Sequence, residues 1–445
     1  MISNTSLKHG SRRMFLRDAT AVAATLAIPL AMHEILEAAG EAQAIDRDSR
    51  SDDDVARDEK YWSRVRRAYH VHPTVVNFDH GWANPTTRAA TDTLIRNARE
   101  LETLPAEVLV HIWSTVTTTA LRASLAAAMQ VGVNEIAIVR NATEALATVL
   151  LGVPLRGGDE VICSRHDYYA MLDALDQRRA RDGVVLRMVE PPVPAPSMQA
   201  LEDLYASAMG PRTKLVLLTH PSNLTGQLLP VRRIADRAHA LGAEVVVDGA
   251  QSLGLFEDPV RSLGCDYYGA SAHKWLGTPV GLGVLWMRPE LTGKVWPLVP
   301  GPVGEVGMKR FEWIGTAPEY VNAAAMPAIQ WHTAVGASRK AARLRHLSTL
   351  VRARVRAAVP TAKFYAVDAP EMTCGLTSVE IPSVDPLRLQ QQLRKEYGIL
   401  VQDMTGIRHA PAIRAVRVSP NVYATQAEID RFGWALASTV SALSA

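Results

Sequence analysis

The sequence predicts an α/β chain, with a large unit on a mostly parallel sheet and a smaller α+β unit after it. Between residues 135 and 290, short apolar runs alternate with helix-patterned segments, the order that builds a parallel sheet with crossover helices. Several of the runs are apolar at consecutive positions, as strands covered on both faces require. Past residue 320 the alternation stops, and a basic amphipathic stretch leads into shorter strand-like runs.

The first element is SRRMFLR at 11–17, followed by the mildly apolar DATAVAATLAIPLAM and, at 42–44, by AQA. Paired arginines with Phe15 and Leu16 behind them, a weak apolar region too short for a membrane span, and a small-residue cleavage site resemble a twin-arginine export signal. This implies cleavage after Ala44, a periplasmic or secreted location, the twin-arginine translocation machinery as a partner, and no stable membrane insertion. IDRDSRSDDDVARDEK at 45–60 then reads as a flexible polar lead.

In the large unit the strand candidates are EIAIV, DEVICS, VVLRMVE, TKLVLLTH, AEVVVDGA and GLGVLWM. Between them EALATVLLGV, YAMLDALDQRRARD and VRRIADRAHALG carry helical patterns. AIQWHTAVGASRKAARLRHLSTLVRARVRAAV at 328–359 reads as one long connecting helix. LTSVEIP, GILVQDM and AVRVSP are the strands of the smaller unit, and Thr425 with Glu428 forms a capping box that opens the last helix. The expected divisions are a signal at 1–44, a polar lead and helix at 45–75, a large domain at 76–325, and a linking helix with a small domain at 326–445.

Composition excludes some classes of function. The 445 residues carry a formal net charge of +3 and no basic run interleaved with aromatics, which argues against nucleic acid as a partner. Cys163, Cys265 and Cys374 are widely separated, without the spacing of a zinc site or a disulfide framework, although a single bridge stays open.

Three segments have the residue types of an anion-and-ring site. In VRNATEAL, Asn141 can cap a helix whose free N–H groups at Ala142 and Thr143 would face an anion, though the same pattern serves as a plain cap. In VVVDGAQSLG, a buried strand ends in Asp248, where ligands sit in open α/β sheets. That carboxylate could hold a protonated ring nitrogen, close a turn or bind magnesium, but no P-loop precedes it to support nucleotide hydrolysis. In GASAHKWLGTPVGLGV, Lys274 is a lone ammonium in a small-residue apolar run. A desolvated lysine sheds its proton readily and becomes a Schiff-base nucleophile. Ser271 and His273 are placed to bind the anion that meets the helix at Asn141.

Strand-Asp-x-x-Gln followed, after a further strand, by S-x-H-K resembles the class V aminotransferase-fold (fold type I) enzymes that depend on pyridoxal 5'-phosphate, over about residues 70 to 440. FDHGWANP at 78–85 is similar to the N-H-G-S-x-G-x-x-P of the isopenicillin N epimerase-like branch, and HDYYA at 166–170 to its H-E-Y-G-A. The resemblance implies a sheet of the seven-stranded type flanked by helices. It also implies that Lys274 carries the cofactor as an imine and moves the α-proton, with Asp248 on the ring nitrogen, Gln251 on the ring hydroxyl and Tyr168 on the ring face. Ala142, Thr143, Ser271 and His273 would hold the phosphate, and Asn223, in HPSNLTG, would lie near the substrate carboxylate and ring hydroxyl. Arg417, in RVSPNVYAT, would clamp the substrate carboxylate. Thr316, in WIGTAPEY, would reach the phosphate of a neighbouring subunit, which implies a homodimer with shared sites.

The chain departs from the family pattern at Trp82 and Ala83, where small residues are usual, and at Ala424, where Asn follows the Tyr. Desulfuration by the persulfide route needs a cysteine in the loop after GILVQDMTG, and that loop reads IRHAPAI; Cys374 reads as a core residue. The expected function is aminotransferase or related tailoring chemistry on an amino acid or amino-bearing peptide-like compound. Epimerisation and C–S lysis are the alternatives, followed by a fold that binds without turnover.

Overall fold

The computed structural model describes residues 50–257 and 259–444, so the twin-arginine segment lies outside the described residues. The strands, in chain order, are β1 Val76–Asn77, β2 Ile136–Val139, β3 Glu160–Ser164, β4 Val185–Val189, β5 Thr213–Thr219, β6 Glu244–Asp248, β7 Tyr267–Ser271 and β8 Gly283–Met287. In the C-terminal unit β9 Lys363–Phe364, β10 Thr377–Glu380, β11 Ile399–Leu400, β12 Gln402–Asp403 and β13 Val416–Val418 follow. The helices are α1 Asp52–Ala56, α2 Glu59–Arg67, α3 Arg88–Leu101, α4 Pro105–His111, α5 Arg122–Met129, α6 Ala142–Gly152 and α7 Tyr169–Asp182. They continue with α8 Met198–Ala208, α9 Val231–Ala240, α10 Glu319–Val335, α11 Ala337–Ala358, α12 Pro386–Tyr397 and α13 Gln426–Ser444.

The large sheet has seven strands in the order β2-β8-β7-β6-β5-β3-β4, and β8 alone runs against the rest. Continuous apolar runs are explained by its two covered faces. Along β5, Val216 and Leu218 enter a core with Leu125, Ile234 and Ile329 on one side, while Leu215 and Leu217 enter another with Leu146, Val149 and Leu172. All six strand runs chosen from the sequence form strands of this sheet, and β7 is the further strand ahead of Lys274.

The small unit has an antiparallel sheet, β12-β13-β10-β9, packed on α11, α12 and α13. The capping box that opens α13 is present in both directions. Thr425 N donates to Glu428 Oε2 at 2.8 Å and Glu428 N to Thr425 Oγ1 at 3.2 Å. Among the described residues no helix is long and apolar enough to cross a membrane.

Three expectations are corrected. The polar lead at 45–60 is helical over Asp52–Ala56, where Val55 and Ala56 are buried, and Glu59 and Lys60 open the next helix, whose Tyr61, Trp62 and Val65 join Val55 in a core with Leu344, Leu376 and Val422. The long connecting helix is two helices, since Gly336 sits at φ 90°, outside the helical region, and separates α10 from α11. GILVQDM supplies two short strands to different sheets, because β11 pairs in parallel with β1 while β12 joins β13. That pairing also ties residues 76–77, expected in the large domain, to the C-terminal unit.

Candidate active site

The carboxyl ends of β2, β3, β5, β6 and β7 share one edge of the large sheet, and the loops leaving them surround a cavity of about 310 Å³. β6 delivers Asp248, buried, with Oδ1 accepting the Ala250 N–H at 2.9 Å. Burial raises its pKa, against the pull of that N–H and of Lys274. Its other oxygen has no hydrogen bond among the described residues and is left for a ligand.

β7 ends at Ser271, and the turn after it places His273 and Lys274 on the cavity wall. Among the described residues nothing accepts a hydrogen bond from Lys274. Burial brings its ammonium down to about 8; Asp248 opposes that fall, Arg417 adds to it, and Asp79 opposes it. Burial likewise pulls His273 down to about 4, with Lys274 contributing. The imidazole is therefore neutral near pH 7.

Helix α6 begins where β2 ends. Asn141 Oδ1 accepts the Glu144 N–H at 2.9 Å, as a cap does. The Ala142 N–H, expected to be free, donates instead to Ser271 Oγ at 2.9 Å. The two groups meet because β8, lying between β2 and β7, has no side chain at Gly283. A Cβ there would come within 2.6 Å of Asn141 Cα and 2.7 Å of Ala270 O. Thr143 is exposed at the cavity rim.

From the small unit, β13 sends Arg417 into the same cavity. Its Nη2 donates to Asp79 Oδ1 at 3.0 Å and its Nη1 to Asn223 O at 3.1 Å. Burial lowers its pKa, against the Asp79 charge, while burial raises that of Asp79. Gly81 lies against the guanidinium, since a Cβ on it would stand 2.8 Å from Arg417 Cζ. Gln251 donates through Nε2 to Gly81 O at 2.7 Å and accepts at Oε1 from the Trp275 indole at 2.8 Å. Tyr168 lines the cavity with its ring 4.5 Å from that of Tyr169, and burial pushes its hydroxyl pKa up.

Ten of the eleven sequence-selected residues thus share one cavity: Lys274, Asp248, Gln251, Ala142, Thr143, Tyr168, Ser271, His273, Asn223 and Arg417. Thr316 is not among them; it is exposed in the segment ahead of α10. Sequence reasoning did not single out Asp79 or Asp167. Asp167 is buried, accepts the Ser164 N–H and the Thr219 hydroxyl at 2.7 Å each, and is pushed up to about 7 by burial. Asp79 stood inside a motif already quoted, but its partner is Arg417, far along the chain. Asp403 and Gln402 line the far wall and carried no sequence signal. The three cysteines are free and buried, and Cys374 packs in the core as expected.

The wall fits pyridoxal 5'-phosphate. Among the described residues Asn223 Oδ1 and Arg417 Nε are buried there without a hydrogen-bond partner, which is costly unless a polar ligand supplies one. An amine for an aldehyde, a carboxylate for a ring N–H and a helix start beside Ser271 and His273 for an anion complete the set.

The doubly covered sheet, with a lysine and a buried carboxylate lining one cavity at its carboxyl edge, fits a pyridoxal-phosphate-dependent enzyme. A family model described as aminotransferase class-V matches residues 102–432, more than half of the chain, and the chain belongs to that family. It is 28% identical to isopenicillin N epimerase of Streptomyces clavuligerus over 398 residues, covering 84% of this chain and 97% of that one. The isopenicillin N epimerase of Amycolatopsis lactamdurans is also 28% identical, over 402 residues, covering 84% and 98%. A cysteine desulfurase of Synechococcus elongatus is 35% identical over 170 residues, but this covers 38% of this chain and 26% of that protein. Among solved structures, the cystine C–S lyase C-DES in complex with cysteine persulfide shares the fold, with a TM-score of 0.72 at 24% identity over 82% of this chain and 98% of that one.

Proposed function

We propose that the chain moves the α-proton of an amino acid or amino-bearing peptide-like compound, with epimerisation ahead of transamination. The observation that carries the proton-transfer reading is Lys274, a half-buried amine on the cavity wall whose pKa burial brings down to about 8 and which, among the described residues, has no hydrogen-bond acceptor. Similarity to the epimerases along nearly their whole length supports the choice of outcome, and their printed name points to a peptide-like amino compound. Transamination, ranked first on sequence, loses that place because the relatives matched end to end are not named for it.

When bound, pyridoxal 5'-phosphate supplies an electron sink that acidifies bonds at a substrate's α-carbon. Lys274 would attach it covalently and, once the substrate's own amine had displaced it, would be a neutral amine able to accept the α-proton at Nζ. Asp248 would keep the ring nitrogen protonated through the oxygen that Ala250 leaves unused, Gln251 would donate to the ring oxygen, and Tyr168 would cover a ring face. The α6 start would hold the phosphate through Thr143, together with Ser271 and His273, whereas the Ala142 N–H is already engaged by Ser271 Oγ. Arg417 receives the substrate carboxylate, held ready by Asp79, and Asn223 borders the same pocket. Trp82, exposed at the mouth in place of a small residue, narrows what can enter.

Borohydride reduction of the loaded protein followed by peptide mapping is expected to place the adduct on Lys274. Lys274→Ala is expected to lose the adduct and about two to four orders of magnitude in rate. An adduct on another lysine overturns the assignment. Turnover in deuterium oxide separates the outcomes: solvent label at the α-carbon without a keto product means epimerisation, and a keto product means transamination or elimination.

Two further parts of the reading concern the chain's setting. Export by the twin-arginine route rests on residues 11–17 and is tested by fusing residues 1–44 to a reporter, with Arg12 and Arg13 both changed to Lys as the control. A homodimer in which Thr316 serves the partner's phosphate is supported by the exposed Trp296, Val303, Val306 and Trp313 in the same stretch of chain. Light scattering should give twice the chain mass, and Thr316→Ala should weaken cofactor retention.

A further inference from the structure

The turn that carries Lys274 is held from behind by another lysine, and this one is buried. Lys340, on α11, donates to Trp275 O at 2.6 Å, and its Nζ lies 2.8 Å from His332 Nδ1, within hydrogen-bonding distance. Among the described residues no carboxylate pairs with it. In an unbroken helix, residues 332 and 340 would stand about 12 Å apart along the axis. The break at Gly336 is what lets His332, on α10, face Lys340. Burial and the Lys340 charge drive the His332 pKa well below its ordinary value, so the ring is neutral and offers one acceptor nitrogen. Burial also draws Lys340 down to about 7, and in either charge state it keeps donors for both partners.

Trp275 passes this anchorage on to Gln251. An indole N–H only donates, so the atom it meets at 2.8 Å must be the Gln251 carbonyl oxygen. A main-chain carbonyl only accepts, so the atom 2.7 Å from Gly81 O must be the amide nitrogen. The two neighbours agree, and the amide cannot flip without losing both bonds. One Nε2 proton remains, on a side chain that lines the cavity. A flipped amide would set its carbonyl against an acidic ring oxygen.

We infer that Trp275 is a positioning residue that locks Gln251 with an N–H donor toward the cofactor's ring oxygen, and that the Lys340–His332 pair holds Trp275 in place for it. The inference rests on the proposed role of Gln251 and adds the device that orients it. Losing that donor leaves the ring oxygen a stronger acceptor for the neighbouring nitrogen-bound proton, so the bound chromophore should titrate at higher pH.

The test is a visible-absorbance pH titration of the protein loaded with pyridoxal 5'-phosphate. Trp275→Phe, which keeps a ring and removes the donor, is expected to raise the apparent pKa of the chromophore by about one unit. Gln251→Ala should shift it comparably, and the double variant should match Gln251→Ala alone, because Trp275 acts through Gln251. Lys340→Met should shift it in the same direction by less, and it carries the same comparison if Trp275→Phe does not fold. A Trp275→Phe or Lys340→Met protein that melts earlier yet titrates as the wild type overturns the inference, as do additive shifts in the double variant. A wild-type protein with no visible band overturns the cofactor reading, and this inference with it.

Discussion

Lys274 lies in a run of small apolar residues, where a charge gains nothing from helix or strand patterning. Its chemistry follows from that isolation: partial burial takes much of the water from the ammonium, and among the described residues no hydrogen bond replaces it. The consequence can be measured without cofactor. Folded Lys274 loses its proton near 8, whereas its ordinary value is 10.5. Between those values the unfolded chain binds more protons, so stability rises with pH; below about 8 the penalty of burying the charged amine is fully present. Urea unfolding of the apo-protein should find Lys274→Met more stable than the wild type at pH 7, with the gap narrowing toward pH 10. A gap that stays constant would mean the amine is not desolvated. The residue types at this site were legible one by one, because Asp, Lys and Asn announced themselves where strands end. Asp79 was not, because a carboxylate beside a glycine has many uses until its arginine is in view.

At the scale of elements, strands were easier to read than helix boundaries. A strand covered on both faces is apolar at consecutive positions through its middle, as Val161–Cys163, Leu215–Leu218 and Val245–Val247 are, and β3, β5 and β6 could hardly be read otherwise. The break between α10 and α11 was missed because the amphipathic pattern continues on both sides of Gly336, and one glycine is compatible with a helix. The backbone conformation at that glycine is a tertiary outcome, set where two helices pack in different directions. β8 gives the sharpest elemental test. Gly283→Ala would drive a methyl group into the backbone of Asn141 and Ala270. It should cost about 1–3 kcal/mol of stability, as overpacking does, and loosen phosphate binding at the α6 start. Calorimetry and cofactor equilibrium dialysis check the two effects; a variant with unchanged cofactor affinity would separate α6 from the phosphate.

Over the whole molecule, the two units are joined at the site. The chain from Phe78 to Asn84 passes between them: Phe78 packs in the small core, Gly81 N donates to Ser419 Oγ at 3.0 Å, and Asn84 N donates to His273 O at 3.1 Å. The N-terminal helices fasten the same junction. Arg343 is fully buried, with its guanidinium 5.3 Å from the Trp62 ring, and it bonds Ala56 O, Ala424 O and Glu59. Trp62→Ala should therefore destabilise the protein by about 3–5 kcal/mol. Tm and the urea midpoint measure it, and a loss under 1 kcal/mol would mean that this segment is not part of the core.

By itself, the sequence determined the large α/β unit, the strand ends that bear Asp248 and Lys274, and the capping of α6 and α13. These depend on neighbours within a few positions, where burial period and side-chain reach leave few choices. Only the tertiary structure decided that Arg417 from one unit meets Asp79 and Asn223 from elsewhere, that a polar N-terminal segment folds over the junction, and that Lys340 stands behind the turn of Lys274. Those contacts join residues tens to hundreds of positions apart, and no local pattern encodes which distant surface a buried charge will face.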